Sequence, residues 1–403
     1  MENKPYQSAF HAIARNDAVR YNLHCNCGTN LKINKSDLID NFLLPDSIMK
    51  RLFHEIGNLH STSEFTIIWE GNEPTLLGID FFKRVVHFQK TAAGKNTNIQ
   101  NKLQTNGVFL DDKWCKFLHQ HNFQVTLRFE GPGEFSEDLL KSIKRDSAFD
   151  SLVQSVHQLQ NYKIDFNILY PVNSFSCHYP LEIYQFFRDE LRVSKLHFVP
   201  AAENTKKTTD KQFFSPSYNI ATAEEYGDFL IRIFDEWICH DVGSIFIQRF
   251  EGLISAYLLG YSSLCWIQPT CAQEIILEGN GDVYSCGYKQ QDYLLGNLKK
   301  KTIDRLITSE KHSQLSFLKA ATLTIECKQC EYLVICYGGC PKNRILQSND
   351  KKGKLNWLCP GLKKFYSHTK EPIEKLVGIL RSGQPAEAIL DQTVESGVND
   401  LRY

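Results

Sequence analysis

The sequence predicts an α/β protein: parallel β-strands, forming an open sheet or a partial barrel, lead into a cysteine-rich C-terminal region. Two observations carry this expectation. Short β-type runs alternate with helix-period stretches about six times in the first two hundred residues, the pattern of repeated βαβ units. Eight of the thirteen cysteines then fall between residues 265 and 359.

The β-type runs are Phe10 to Ala14, Phe65 to Trp69, Ile99 to Thr105, Phe123 to Phe129, Asp165 to Val172 and Leu196 to Val199. Helix-period stretches between them include Asp80 to Gln89, Asp112 to His119, Ser151 to Gln160 and Leu181 to Glu190. In parallel sheets of this kind the chemistry sits at the C-terminal ends of the strands. Ala201 to Ser217 is polar and aperiodic and reads as a linker. After it, Thr222 and Glu225 form a capping box ahead of Tyr226, Phe229, Leu230, Ile233, Phe234, Trp237 and Ile238, an amphipathic helix closing near Gly243. Further on, Glu274 to Glu278 and Asp282 to Cys286 flank Asn280-Gly281, a two-residue hairpin signal that places Cys286 on or just after the returning strand.

A chain of 403 residues has room for about two to three domains, each with its own core. Its 46 basic residues cancel its 46 acidic ones, so the electrostatic footprint of a nucleic-acid binder is missing. Met1 to Arg15 shows no basic flank followed by an apolar run, which makes the cytoplasm the expected compartment. The longest uncharged stretch, Gly252 to Gln273, is interrupted by Ser255, Tyr257, Gly260, Gln268 and Pro269, and no membrane span is expected.

The clustered thiols are the informative feature. In a reducing compartment they read as metal ligands rather than disulfides. Their pattern is C-x5-C-x14-C-x40-C-x2-C-x5-C-x3-C-x18-C, enough for two four-thiolate sites holding iron-sulfur clusters or, alternatively, zinc. Cys115, Cys177 and Cys239 stand singly and read as ordinary thiols of the fold.

LCWIQPTC, NGDVYSC, YLLGNL, CKQCEYLVICYGGCPKNR and LNWLCPG resemble the SPASM domain of the anaerobic sulfatase-maturating enzymes, radical S-adenosylmethionine (SAM) proteins that oxidise a sulfatase Cys or Ser to formylglycine. Nearly the whole chain shares the resemblance, through AFHAIA, WEGNEPTLLG, LQTNGVFLDDKWCKFL and AEEYGDFLIRIFDEWICHDVG. It implies a partial (β/α)6 TIM-like radical SAM barrel over 1–200, a linker and amphipathic helix over 201–261, a SPASM domain over 262–370 and a helical tail over 371–403. It also implies two auxiliary [4Fe-4S] clusters: one on Cys265, Cys271, Cys286 and Cys340, the other on Cys327, Cys330, Cys336 and Cys359. The implied partner is a sulfatase, a sulfatase-derived peptide or an active maturase.

Against that family, the barrel positions are altered. The SAM cluster needs three cysteines in C-x3-C-x2-C, but here Tyr21 stands at the first position and Cys25 at the second, while the third falls on Gly28, or on Cys27 with a one-residue shift. In the G-G-E-P motif that holds SAM, Glu73 is kept and Asn72 replaces a glycine. Leu139 and Leu140 align with the stretch that supplies an Arg for the SAM carboxylate, an ion pair leucine cannot make. Gly287 occupies the position of the catalytic Asp, and Asp292 and Tyr288 lie too far along the loop to replace it. Taken jointly, the changes predict impaired SAM cleavage in an accessory of a sulfatase or active maturase. The alternatives are an active oxidoreductase with a nonstandard SAM cluster and a zinc-binding interaction protein.

Overall fold

Strand and helix alternate where the apolar period of the sequence switches between 2 and 3.6. The structure, a computed structural model, describes residues 20–25, 45–58, 64–71, 73–93, 98–129, 147–201, 220–271, 274–286 and 291–395. Its first part runs β1 (Arg20–Cys25), α1 (Asp46–Gly57), β2 (Glu64–Gly71), α2 (Ile79–Ala92), β3 (Asn98–Thr105), α3 (Asp112–Gln120), β4 (Gln124–Arg128), α4 (Ser147–Asn161), β5 (Phe166–Val172), α5 (Pro180–Gln185) and β6 (Lys195–Pro200). Next come α6 (Ala223–His240), β7 (Phe246–Ile247) and α7 (Gln248–Leu259). The remainder adds β8 (Glu274–Leu277), β9 (Asp282–Tyr284), β10 (Leu294–Asn297), α8 (Ile303–Ile307), α9 (Glu310–Ala321), α10 (Ile325–Lys328), α11 (Leu333–Cys336), β11 (Arg344–Gln347), β12 (Lys354–Asn356), α12 (Cys359–Arg381) and α13 (Ala388–Glu395).

β1 to β7 are parallel neighbours in chain order, as the alternating pattern predicts. The cysteine-rich part is not a separate layer: β8 pairs in parallel with the other edge of β1, and β9 and β10 extend the sheet antiparallel beyond it. The predicted run Phe10 to Ala14 lies outside the described residues, and the first described strand is instead Arg20–Cys25, the stretch aligned with the SAM-cluster loop. With β2 on one side and β8 on the other, its backbone has ladder partners at both edges, which favours a strand over a loop here.

Local chemistry explains the element ends. The Asp111 carboxylate caps α3 by accepting the Trp114 N–H at 2.8 Å. Thr222 and Glu225 make the predicted capping box at α6, each side chain accepting from the other's backbone N–H. The helix expected over 181–190 divides into α5 and a π-turn over Phe186–Glu190. The hairpin loop is also longer than Asn280-Gly281. Glu278 pairs its N–H with the Asp282 carbonyl while Gly281 N–H reaches the Glu278 carbonyl, and Gly281 alone takes a left-handed φ of 95°. A turn followed by one left-handed residue is the three-residue hairpin solution, and it leaves Cys286 two residues beyond β9.

The core joins the two regions. Under α2, the rings of Trp69, Phe81, Phe82, Trp114 and Phe123 meet edge to face. Across the molecule Phe365 of α12 packs on Phe234 of α6 and stacks on Phe250 of α7 at 5.7 Å. Glycines set the spacing of α6 and α12: a Cβ at Gly361 would lie 1.6 Å from the Ala223 carbonyl oxygen, and one at Gly227 would lie 2.5 Å from that of Gly361. The helix that begins with Cys359 is therefore pressed backbone to backbone against a helix of the barrel half.

Gly361→Ala is expected to destabilise the fold by about 1–3 kcal/mol or more, because backbone cannot yield as a side-chain tip does. Gly378→Ala, on the same helix with open space around it, should instead stabilise by about 1 kcal/mol. Urea unfolding midpoints of the two variants check both signs.

Candidate metal centre

The cysteines sit where short turns and helix ends hold them. Cys265 opens a 3-10 turn after α7, and Cys271 donates its N–H to the Ser316 carbonyl of α9 at 2.8 Å. Cys286 follows the wholly buried Ser285, whose N–H is held by the Tyr293 carbonyl at 3.0 Å. Cys327 lies in α10, its N–H capped by the Thr324 hydroxyl, and Cys330 donates to the Cys327 carbonyl just beyond. Cys336 ends α11, Cys340 precedes a Pro-led turn, and Cys359 is the first residue of α12.

Between Cys336 and Cys340 the chain takes three successive left-handed residues, Tyr337, Gly338 and Gly339, with φ of 46°, 69° and 63°. This tight reversal carries the Gly339 N–H to the Cys336 carbonyl at 2.8 Å, and the Gly338 and Gly339 backbone partly offsets the rise that burial gives the Cys336 thiol. The side chains of Arg344 and Asn356 fill the space where a Cβ on either glycine would lie, so the C-Y-G-G-C spelling follows from geometry.

All eight thiols are half-buried, and they act on one another electrostatically in two groups. Cys265 feels Cys271 and Cys340, and Cys271 feels Cys340 and Cys286. Cys359 feels Cys336, Cys327 and Cys330, and Cys336 feels Cys327. Burial, with neighbouring thiols adding to it, pushes Cys265 up to about 12 and Cys271 and Cys359 up to about 11. The second group also lines a pocket together with Tyr366 and Lys363. Among the described residues no three His, Cys, Asp or Glu side chains converge closely enough for a single metal ion.

The barrel positions are distributed differently. Cys25 is the last residue of β1, opposite Gly71, and Tyr21 lies inside that strand, between Ile67 and Ile275. Glu73 is buried and tied: its carboxylate accepts from Thr75 N–H at 3.0 Å, the Thr75 hydroxyl, the Thr105 hydroxyl at 2.6 Å and Asn106 N–H at 2.8 Å. It thereby latches the end of β2 to the end of β3. Cys27, Gly28, Asn72, Leu139, Leu140, Gly287 and Tyr288 lie outside the described residues, and Asp292 is exposed on a short turn.

Several buried charges have no obvious signal in the sequence. Lys319 and Arg344 stand beside both thiol groups. Arg249, in the first turn of α7, lies between the rings of Tyr226 and Trp266, 5.7 Å from each centroid. Two residues on, Glu251 is only 6% exposed, and burial pushes its carboxyl up to about 8.

Because the folded form of Glu251 binds its proton more tightly than the unfolded chain does, stability is fully present below about pH 4.5, falls as pH rises, and levels off above about 8. Glu251→Gln should remove that slope and add about 3 kcal/mol at pH 7. Urea unfolding of both proteins across pH 5 to 8 measures it; parallel curves would count against the carboxyl's burial cost.

Residues 265–331 match SPASM, described as an iron-sulfur cluster-binding domain. A serine-type anaerobic sulfatase-maturating enzyme of Bacteroides thetaiotaomicron is 29% identical, over 90% of this chain and 89% of its own length. A cysteine-type enzyme of the same kind from Clostridium perfringens is 30% identical, over 80% of this chain and 85% of its own. The solved structure of native anSMEcpe with bound AdoMet and the Cp18Cys peptide superposes with a TM-score of 0.76 at 26% identity, covering 90% of this chain and 99% of that one. Among the described residues no helix is long and apolar enough to cross a membrane. In sequence, fold and cysteine architecture alike, the chain belongs to the anaerobic sulfatase-maturating enzymes, radical SAM proteins with a SPASM domain.

Proposed function

We propose that this chain carries two auxiliary [4Fe-4S] clusters, on Cys265, Cys271, Cys286 and Cys340 and on Cys327, Cys330, Cys336 and Cys359, and that it is impaired in SAM cleavage. On this reading it serves a sulfatase, a sulfatase-derived peptide or an active maturase as a partner rather than as the catalyst. The observations that support the cluster assignment are the match of residues 265–331 to an iron-sulfur cluster-binding domain and the pocket that Cys327, Cys330, Cys336 and Cys359 line together. Clusters bound there supply one-electron chemistry; the chain supplies the cage.

Impairment is supported by the fate of the barrel mouth. A thiolate at position 21 would have to act from within a paired strand, and Tyr21 has none to offer. Glu73 spends its carboxylate on four donors of its own chain. Gly287 has no proton acceptor to replace the family's Asp. Peptide binding is drawn from the relative solved with the Cp18Cys peptide. One observation favours the second reading, an active enzyme with a nonstandard SAM cluster: Cys25 ends β1 at the C-terminal edge of the parallel sheet.

Anaerobic purification with iron and sulfide assay separates the readings. About eight iron atoms per chain are expected, at four per cube, while about twelve would indicate a third cluster and zinc would replace the assignment altogether. With SAM and a strong reductant, 5′-deoxyadenosine is expected at the level of a cluster-free control; turnover above it overturns impairment. Cys330→Ala and Cys340→Ala should each lower solubility and lose about half of the iron, since folding and metal binding are coupled in such regions. Unchanged iron in a soluble variant would refute the ligand assignment.

A further inference from the structure

Lys319 is a charge without a carboxylate. Its side chain is 0% exposed, and its ammonium donates to the Cys265 carbonyl at 2.9 Å and to the Gln268 carbonyl. No ion pair reaches it among the described residues. Its charge faces Cys265, Cys271 and Cys340 of the first thiol group and Cys336 of the second. Arg344, 7% exposed, braces the same place, donating to the carbonyls of Gly338 at 3.1 Å, Tyr337 at 2.9 Å and Lys319 itself at 2.9 Å, and to the Thr322 hydroxyl at 2.8 Å. It too has no carboxylate partner among the described residues, and it faces Cys327, Cys271, Cys336 and Cys340.

An unpaired ammonium removed from water is strongly disfavoured, and hydrogen bonds to carbonyl oxygens offset only part of that cost. Burial favours the neutral amine of Lys319 and the neighbouring thiols of Cys265, Cys271, Cys336 and Cys340 oppose that shift, so negative charge gathered on these sulfurs holds the ammonium charged. Cubes held by four thiolates carry net negative charge, and both would stand beside this ammonium. Fixed positive charge in a low-dielectric setting favours the reduced, more negative state of a cluster and raises its reduction potential.

Building on the two-cluster reading, we infer that Lys319 is a positioning residue for electrons: the fixed counter-charge shared by both auxiliary clusters, setting their reduction potentials. It touches neither substrate nor the reacting atoms. A purely structural lysine would serve its two carbonyl acceptors without regard to the clusters, and the two roles differ in what an apolar replacement changes.

The full-length chain and its Lys319→Met and Lys319→Arg variants are reconstituted anaerobically, assayed for iron, and titrated with mediators while electron paramagnetic resonance follows each cluster. Lys319→Met is expected to load iron as the parent does and to shift at least one midpoint negative by a tenfold change in the oxidised-to-reduced ratio, 59 mV for a one-electron couple, with Lys319→Arg close to the parent. Full loading with unmoved potentials in Lys319→Met overturns the inference, as does an equal shift in both variants. If Lys319→Met fails to load while Lys319→Arg loads, the charge serves assembly rather than potential and the inference is overturned; equal failure of both points to shape and overturns it as well. A parent chain without iron defeats the cluster assignment itself, a result distinct from any of these.

Discussion

Thiols crowded into a half-buried space repel one another once ionised, and this constraint bears on the C-terminal third of the molecule. Every local device there serves it. The consecutive left-handed residues after Cys336 fold the backbone tightly around it, and Lys319 and Arg344 bring positive charge beside both groups. Hydrogen bonds to sulfur and nearby fixed charge are the levers by which a protein tunes a cluster.

The thiol cages are not free-standing. Their first hairpin strand joins the parallel sheet at β1, and their last helix is pressed against α6 with only glycines between the backbones. Cys286 is thus positioned by the sheet and Cys359 by the helix pair. Such anchoring suits a device whose ligands come from positions nearly a hundred residues apart in sequence, because the entropy of gathering them is met by a core that already exists.

At the opposite edge of the same strand, described residues aligned with the family's SAM motifs take part in the fold. The strand carrying Tyr21 and Cys25 is laddered on both sides, and Glu73 latches β2 to β3 through hydroxyl and backbone donors. Placing a carboxylate where four donors converge makes it a structural tie, whatever it does in relatives.

Much of this was legible before any coordinates. Period-two runs bounded by turn residues located β2 to β6, a capping box located α6, and the clustered cysteines pointed to the iron-sulfur cluster-binding domain that the chain matches. These features are written locally, in residues a few positions apart. The hairpin loop was misjudged by one residue because its register depends on which strand edge it meets, and the strand at Arg20–Cys25 was missed because it owes its form to β2 and β8 on either side. Lys319 looks like any helix-borne lysine in the sequence, as does Glu251 among its helix neighbours. Sequence by itself determined the alternation of elements and the inventory of ligands, since periodicity and spacing are properties of the chain. Only the tertiary structure decided which charges lose their water, because burial is set by residues far away along the chain.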